Sequence, residues 1–135
     1  MLVLRNQWAW VRRGSGALAL AGVDDVWEQA ADLGRALRGI PAEACTVLLA
    51  HEPDFADQVR RHPVDLQLSG HSHGGQVWLP LLGAPVLPLY GQKYPRGWYR
   101  LDHLQLYTNR GVGCITPPIR LNCPPEIALF ELQGA

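Results

Sequence analysis

The stretch from Thr46 to Ser69 constrains the fold of this chain more than any other. It contains two continuous apolar runs, Thr46–Ala50 and Asp65–Ser69, separated by a segment of helical length. A connection of this length is long enough for a crossover between two parallel strands. The sequence therefore predicts a central βαβ unit and an α/β fold class.

Histidines follow both apolar runs. His51 comes directly after the first run, and His71 follows the second run after a single glycine. In open α/β sheets, ligands bind outside the carboxyl ends of the strands. We therefore expect both imidazoles to emerge at the same edge of the sheet.

The remaining apolar runs are short and are separated by turn residues, as is typical of strands. Two of them flank a glycine turn at residues 13–16 and predict a hairpin. Two segments carry helix signals: Val26–Leu37, with Asp24 or Asp25 as its cap, and Pro53–Arg61, which begins with a proline. The other predicted strands are Leu2–Leu4, Trp8–Val11, Ala17–Gly22, Trp98–Leu101, Leu104–Thr108 and Ile127–Leu132.

The charge composition excludes some classes of partner. Twelve Lys and Arg balance twelve Asp and Glu, so the sequence indicates no nucleic-acid partner. No apolar run reaches the roughly 18 residues of a membrane-spanning helix, and no signal peptide is recognised. We therefore expect a cytoplasmic location or peripheral attachment to a membrane. Residues 90–120 are locally basic, which is typical either of a solvated face or of an anion-attracting rim.

The segment Gly70–Gln76 has the sequence GHSHGGQ and carries two of the five histidines. In an extended segment, His71 and His73 would point to one side, and the flanking glycines would let the backbone approach an ion or a phosphate. Neutral imidazole is the commonest metal ligand in proteins. With His51 at the matching strand end, the pattern favours a metal site. Exposed loop histidines are the alternative interpretation.

Four segments together resemble the calcineurin-like metallophosphoesterases. Within that family, the resemblance is to a bacterial branch, often membrane-associated, of phosphohydrolases and phosphodiesterases. The segments are Leu48–Asp54, Asp65–Gln76, Tyr107–Gly113 and Pro118–Glu126. The resemblance implies a metallophosphoesterase-type α/β sandwich of mixed sheets, with a dinuclear metal centre at the carboxyl ends of the strands.

The resemblance also implies roles for individual residues. His51 and His71 would bind one divalent metal ion, His73 would bind the other, and Arg110 would contact the substrate. The two ions, Mn, Fe or Zn, would supply hydroxide for attack on a phosphomonoester or phosphodiester. The organic part of that substrate could be lipid- or nucleotide-linked. No catalytic residue is assigned within this chain.

The sequence departs from the family pattern in its first 50 residues. The family's Asp-x-His, Gly-Asp and Gly-Asn-His motifs, which include the anionic ligands, do not occur there. Residues 1–135 are therefore expected to be the C-terminal portion of a metallophosphoesterase domain. Neutral imidazoles do not compensate the charge of two divalent ions, so we expect an incomplete or inactive site that binds at most one ion weakly.

Several alternatives stay open at this level. The absent N-terminal half would leave an apolar face uncovered, so pairing with that half or self-association is expected. A non-catalytic metal-binding or interaction module would retain the histidines for structure. A mononuclear zinc hydrolase would require His51, His71 and His73 to converge on one ion.

Overall fold

The computed structural model describes residues 2–133 of the chain. Its strands are β1 (Gln7–Arg13), β2 (Gly16–Gly22), β3 (Thr46–Leu49), β4 (Leu66–Ser69), β5 (Gly97–Leu101) and β6 (Leu104–Thr108). They form one mixed six-stranded sheet in the order β1-β2-β3-β4-β6-β5. The predicted α/β class is confirmed. Within residues 2–133 there is one such sheet, and the second sheet of a sandwich is not formed by these residues.

Four neighbouring strands of this sheet run parallel. The register pairs β2 with β3, β3 with β4, and β4 with β6 in parallel, while β1 and β5 are antiparallel strands at the two edges. The hairpin joining β1 to β2 and the βαβ unit joining β3 to β4 are both confirmed. Because the central strands are parallel, their carboxyl ends collect at one edge of the sheet.

The helices are shorter than the sequence predicts. They are α1 (Leu33–Ala36) and α2 (Ala56–Val59), and a 3₁₀ turn at Pro53–Phe55 leads into the second. The helix predicted over Pro53–Arg61 is therefore present in reduced form, whereas most of the one predicted over Val26–Leu37 is not helical. Among the described residues, no helix has the length and apolar character needed to cross a bilayer.

The buried side chain of Asn6 explains the missing turns of the first helix. Its Oδ1 accepts hydrogen bonds from the backbone amides of Asp24 and Asp32, and its Nδ2 donates to the carbonyl of Ala30. Backbone groups held in this way are not free to form a helical ladder. Asp24 does not act as the predicted cap, since its carboxylate pairs with Arg5, whereas Asp25 accepts from the amide of Glu28 and caps a short turn that does not continue into α1. Asp32 caps α1 instead, because its side chain accepts from the amide of Arg35.

Two predicted strands near the chain ends, Leu2–Leu4 and Ile127–Leu132, are irregular. One apolar side chain of each segment, Leu4 or Phe130, packs onto the sheet, while most of the others are exposed. A Cβ on Gly22 would come within 2.8 Å of the Leu4 Cβ, so Leu4 lies directly over this glycine. At the other end of the sheet, the ring of Phe130 lies 5.8 Å from Trp98 and 5.1 Å from Tyr107 between centroids.

The two faces of the sheet differ in burial. Alternation along the strands directs Leu48, Leu104 and Leu106 to the face covered by the helices, and all three are fully buried there. The neighbouring Leu49 points to the opposite face and is 40% exposed. Parallel strands are usually covered on both faces, and here the second face is covered unevenly, because Val47 and Leu66 are buried while Leu49 is exposed.

We expect Leu48→Ala to lower the free energy of unfolding by about 2–5 kcal/mol, because it removes buried methyl groups and leaves a cavity. Leu49→Ala is the matched control on the open face, and its cost should be well below that of Leu48→Ala. Urea denaturation followed by circular dichroism measures both. Equal losses for the two variants would contradict the difference in burial.

Candidate metal centre

The candidate site lies at the edge where the four parallel strands end. This edge brings together the residues that follow β2, β3, β4 and β6, namely Asp24, His51, His71 and Asn109. The Asp24 carboxylate is paired with Arg5, 3.2 Å from Nε to Oδ1. The Asn109 Oδ1 accepts from the amide of Gly111, which stabilises the turn after β6.

His51 and His71 come together as expected. Their ring centroids are 5.1 Å apart, and their planes are inclined by 75°. Beside them lies a shallow, open cavity of about 350 Å³, lined by the last residues of β3 and β4 together with His51 and Gly70. Of the two imidazoles, His51 lines this cavity, and His71 lies against the His51 ring.

A backbone carbonyl fixes the orientation of His71. Its Nε2 lies 2.8 Å from the carbonyl oxygen of Leu89. A carbonyl can only accept, so Nε2 carries the proton, and the neutral ring keeps its lone pair on Nδ1. The indole of Trp27 packs edge-on against the same ring, 5.5 Å between centroids. Sequence reasoning assigned Trp27 to ordinary packing and contained no signal for this contact.

His73 is held in a different way from His71. The prediction that His71 and His73 point to one side required an extended segment, and the segment around His73 is not extended. Both have a positive φ, and His73 begins a short 3₁₀ turn in which the Ser72 hydroxyl accepts from the amide of Gly74. The His73 Nδ1 lies 3.3 Å from the carbonyl of Gly113, so in the neutral ring its lone pair is on Nε2.

The three histidines do not form a complete site by themselves. In residues 2–133, no group of three His, Cys, Asp or Glu side chains is arranged to hold a metal ion. The mononuclear zinc site, which requires three converging histidines, is therefore not formed. The described residues bring the His51 and His71 imidazoles together but supply no complete donor set.

Arg110 follows β6 and lies against the histidine segment. Its side chain crosses Gly74 so closely that a Cβ there would come within 2.6 Å of the Arg110 Cγ, and Gly74 also has a φ of 61°. Glycine is required on both grounds. The Arg110 Nε donates to the carboxylate of Glu126 in an ion pair whose side chains are both largely buried.

Arg120 is a residue that sequence reasoning missed. Its guanidinium donates to a ring of backbone carbonyls, including those of Arg110 at 2.8 Å, Gly113 at 2.6 Å and Cys123 at 3.1 Å. The carbonyl of Gly113 is the one that His73 contacts. Arg120 thereby positions the acceptor that orients His73. An isolated arginine in a proline-rich stretch carries no sequence signal for this role.

The loop that carries Leu89 is anchored to the helical crossover by two aspartates. The carboxylate of Asp54 accepts from the amides of Gln92, Lys93 and Tyr94 at 3.0–3.2 Å. Asp57 accepts from the Lys93 ammonium and from the Tyr94 hydroxyl. Asp54 is in the first turn of the crossover, as predicted, but its side chain binds this loop.

These contacts shift three pKa values, and the hydrogen bond to Asp57 raises that of Lys93 above its ordinary value. The hydrogen bond from Lys93 lowers the pKa of the Asp57 carboxyl below its ordinary value of 3.8, against a smaller opposing effect of burial. Burial, followed by the hydrogen bond to Asp57, raises the pKa of Tyr94 to about 12. Near neutral pH the Asp57 carboxylate is therefore charged and the Tyr94 hydroxyl keeps its proton, so the hydrogen bonds between loop and crossover are kept.

Glu52, next to His51, is fully buried. Its Oε2 accepts from the amide of Val26 at 3.3 Å, while its Oε1 has no hydrogen-bond partner in the part of the chain that the structure describes. The sequence predicts this residue to be an acid of the first turn of the following helix. In the structure it ties the loop that carries Trp27 to the end of β3.

Comparison with known proteins identifies several similar sequences. The chain is 37% identical over 133 residues to the uncharacterized metallophosphoesterase YkuE of Bacillus subtilis (strain 168), covering 98% of this chain and 46% of that protein. It is 36% identical over 130 residues to the phosphodiesterase YaeI of Escherichia coli (strain K12), covering 96% of this chain and 47% of that protein.

A vertebrate protein also matches over a shorter part of the chain. It is a transmembrane protein with metallophosphoesterase domain from Danio rerio, 33% identical over 129 residues, covering 87% of this chain and 28% of that protein. No family model and no solved structure matches. The chain spans about half the length of the two bacterial relatives.

We expect the free energy of unfolding to depend less on pH in the acid range when Asp57 is replaced in Asp57→Asn. The folded pKa of Asp57 is lowered, so its contribution is present at neutral pH and is lost as pH falls below 3.8 towards the folded value. The variant should be less stable at pH 7 and lose less on acidification. Urea denaturation at several pH values measures this. Asp102→Asn, at an exposed carboxylate, is the control, and parallel profiles for Asp57→Asn and wild type would contradict the anchor.

We expect Arg120→Gln to lower the free energy of unfolding by about 1.5–3 kcal/mol, because several charge-assisted hydrogen bonds are lost. The imidazole ¹⁵N resonances of His73 should also change, since the Gly113 carbonyl is released. Arg100→Gln, at an exposed arginine of β5, is the matched control. Unchanged His73 resonances in Arg120→Gln would refute its role in positioning that ring.

Proposed function

Because the chain belongs to the metallophosphoesterase family and spans about half the length of its bacterial relatives, we propose that it contributes part of the metal centre of a metal-dependent phosphoesterase. The reaction is hydrolysis of a phosphomonoester or phosphodiester by metal-activated water. The chain corresponds to the C-terminal portion of the domain and is incomplete or inactive by itself.

A single observation carries this proposal. His51 and His71, separated by a whole crossover in sequence, approach to 5.1 Å between ring centroids at the carboxyl edge of parallel strands. Relatives with metallophosphoesterase names extend over nearly the whole chain. A histidine pair at this edge, in a chain of this family, supports a metal-binding role over that of two loop histidines.

The donor chemistry fits part of such a centre. Imidazole nitrogens suit Mn, Fe and Zn, and the fixed tautomers of His71 and His73 each leave one nitrogen free to coordinate. Under this proposal His51 and His71 hold one ion and His73 contributes to the other. Bound divalent ions would lower the pKa of a water molecule and neutralise charge on the phosphoryl oxygens.

The chain's own residues orient and restrain the site. Carbonyls of Leu89 and Gly113 hold two of the rings, and the indole of Trp27 shields one side of His71. We assign Arg110 to the substrate phosphate. Its guanidinium lies beside the histidine segment, and a phosphate would compete with Glu126 for it.

The remaining ligands must be anionic, since imidazoles bring no negative charge to balance two divalent ions. In residues 2–133 no carboxylate joins the histidines in a group that could hold a metal. We assign those ligands to the part of the family's domain that this chain does not span. The same observation favours a second candidate, a non-catalytic metal-binding or interaction module.

We expect the full chain to bind about one equivalent of Mn²⁺ or Zn²⁺ weakly, because two neutral ligands form only part of a coordination shell. His51→Ala and His71→Ala should each weaken binding by about tenfold or more. Isothermal titration calorimetry measures the affinity. The control is His62→Ala, at an exposed histidine that is remote from the carboxyl ends of β3 and β4.

Hydrolysis of bis(4-nitrophenyl) phosphate, measured on the same samples, separates the two candidates. Weak binding that depends on His51 and His71 supports the partial phosphoesterase centre. Tight stoichiometric binding without hydrolysis would favour the non-catalytic module. Binding that is unaffected by both substitutions would refute the metal site.

A further inference from the structure

An apolar cavity of about 380 Å³ is lined in part by the histidine segment. Its floor is formed by Ser72, Gly75 and Gln76, and its walls by two proline-rich stretches, residues 85–88 and 115–119. Gly75 is required for this shape, because a Cβ there would collide with Ala84 at the base of the first wall. The volume is within the range of about 300–1,000 Å³ found for small-molecule sites.

The polar side chains of the floor are already engaged. The Gln76 amide donates to the carbonyls of Ile115 and Pro117, and its oxygen accepts from the amide of Ile115. The Ser72 hydroxyl donates to the carbonyl of Pro95 and accepts from Gly74. The cavity therefore offers mainly hydrocarbon surface to a ligand, with few free hydrogen-bonding groups.

Both walls are connected to the histidines. The first ends at Pro88, directly before Leu89, whose carbonyl accepts from His71. The second begins at Ile115, two residues after Gly113, whose carbonyl contacts His73. The cavity and the histidines are thus held by the same two loops, and the histidine segment itself supplies Ser72, Gly75 and Gln76 to the cavity floor.

The cavity opens to solvent at its rim. Val86, in the first wall, is 76% exposed, and Ile119, in the second, is 55% exposed. An apolar group can therefore enter without rearrangement of the buried core. A nucleobase would leave its polar edges unpaired in this cavity, at a cost in affinity, whereas an alkyl or acyl chain loses nothing by burial there.

From this arrangement we infer that the cavity binds the apolar group of a phosphate ester whose phosphate lies at the histidines. The inference rests on the proposed function and deepens it, because it selects an alkyl or acyl phosphate over a nucleotide. Specificity then comes from the two proline-rich walls, and the histidine segment between them connects the apolar subsite to the phosphate subsite.

Calorimetric titration of the full chain with methyl phosphate and octyl phosphate, the latter below its critical micelle concentration, tests this inference. Each buried methylene should raise affinity about fourfold, so octyl phosphate should bind at least about tenfold more tightly than methyl phosphate. Val86→Asp and Ile119→Asp should each remove most of that difference, because a carboxylate at the rim of the cavity disfavours burial of the octyl group.

Val3→Asp and Ile127→Asp are matched controls at exposed residues outside the cavity, and they should preserve the difference. Equal affinity for the two esters, equal effects of rim and control substitutions, or tighter binding of uridine monophosphate than of octyl phosphate would overturn the inference.

Titrations with and without Mn²⁺ separate this inference from the proposed function. If affinity rises with the length of the alkyl group but does not change with Mn²⁺, the result would support the apolar subsite and count against the phosphoesterase assignment. If affinity changes with Mn²⁺ but does not depend on the length of the alkyl group, only the apolar subsite would be overturned.

Discussion

Parallel hydrogen bonding among β2, β3, β4 and β6 is the constraint on which the candidate site depends. Four consecutive parallel strands place four carboxyl ends at one edge, so residues far apart in sequence become neighbours there. His51 and His71 are brought together by this register alone. A slip of one residue in β3 or β4 would turn each side chain of that strand to the opposite face and disrupt the core.

Beyond the sheet, backbone carbonyls orient the histidines. The Leu89 carbonyl belongs to a loop fastened by Asp54, and the Gly113 carbonyl belongs to a loop fastened by Arg120. Charged side chains therefore act on the site indirectly, by fixing loops whose carbonyls select a tautomer. The same two loops enclose the apolar cavity, so the fastening that prepares the rings for coordination also shapes the proposed subsite beside them.

Sequence periodicity was sufficient for the elements whose stability is local or repetitive. The β1–β2 hairpin follows from a glycine turn between two apolar runs, and the βαβ unit follows from two buried runs at crossover spacing. Periodicity failed for residues 26–32, where the amide of Asn6 captures backbone groups that a helix needs. It failed also for Ile127–Leu132, where packing of Phe130 on the sheet replaces strand pairing.

The sequence by itself determined the α/β class, the family resemblance and the convergence of His51 with His71, because strand ends and motif spacing are encoded in local order. Only the tertiary structure decided that the histidine segment is a tight turn, that Trp27 packs on His71, and that Arg120 holds the loop beside His73. The last two depend on contacts between residues that are not neighbours in sequence. No local pattern records such contacts, since their geometry exists only once the sheet has formed.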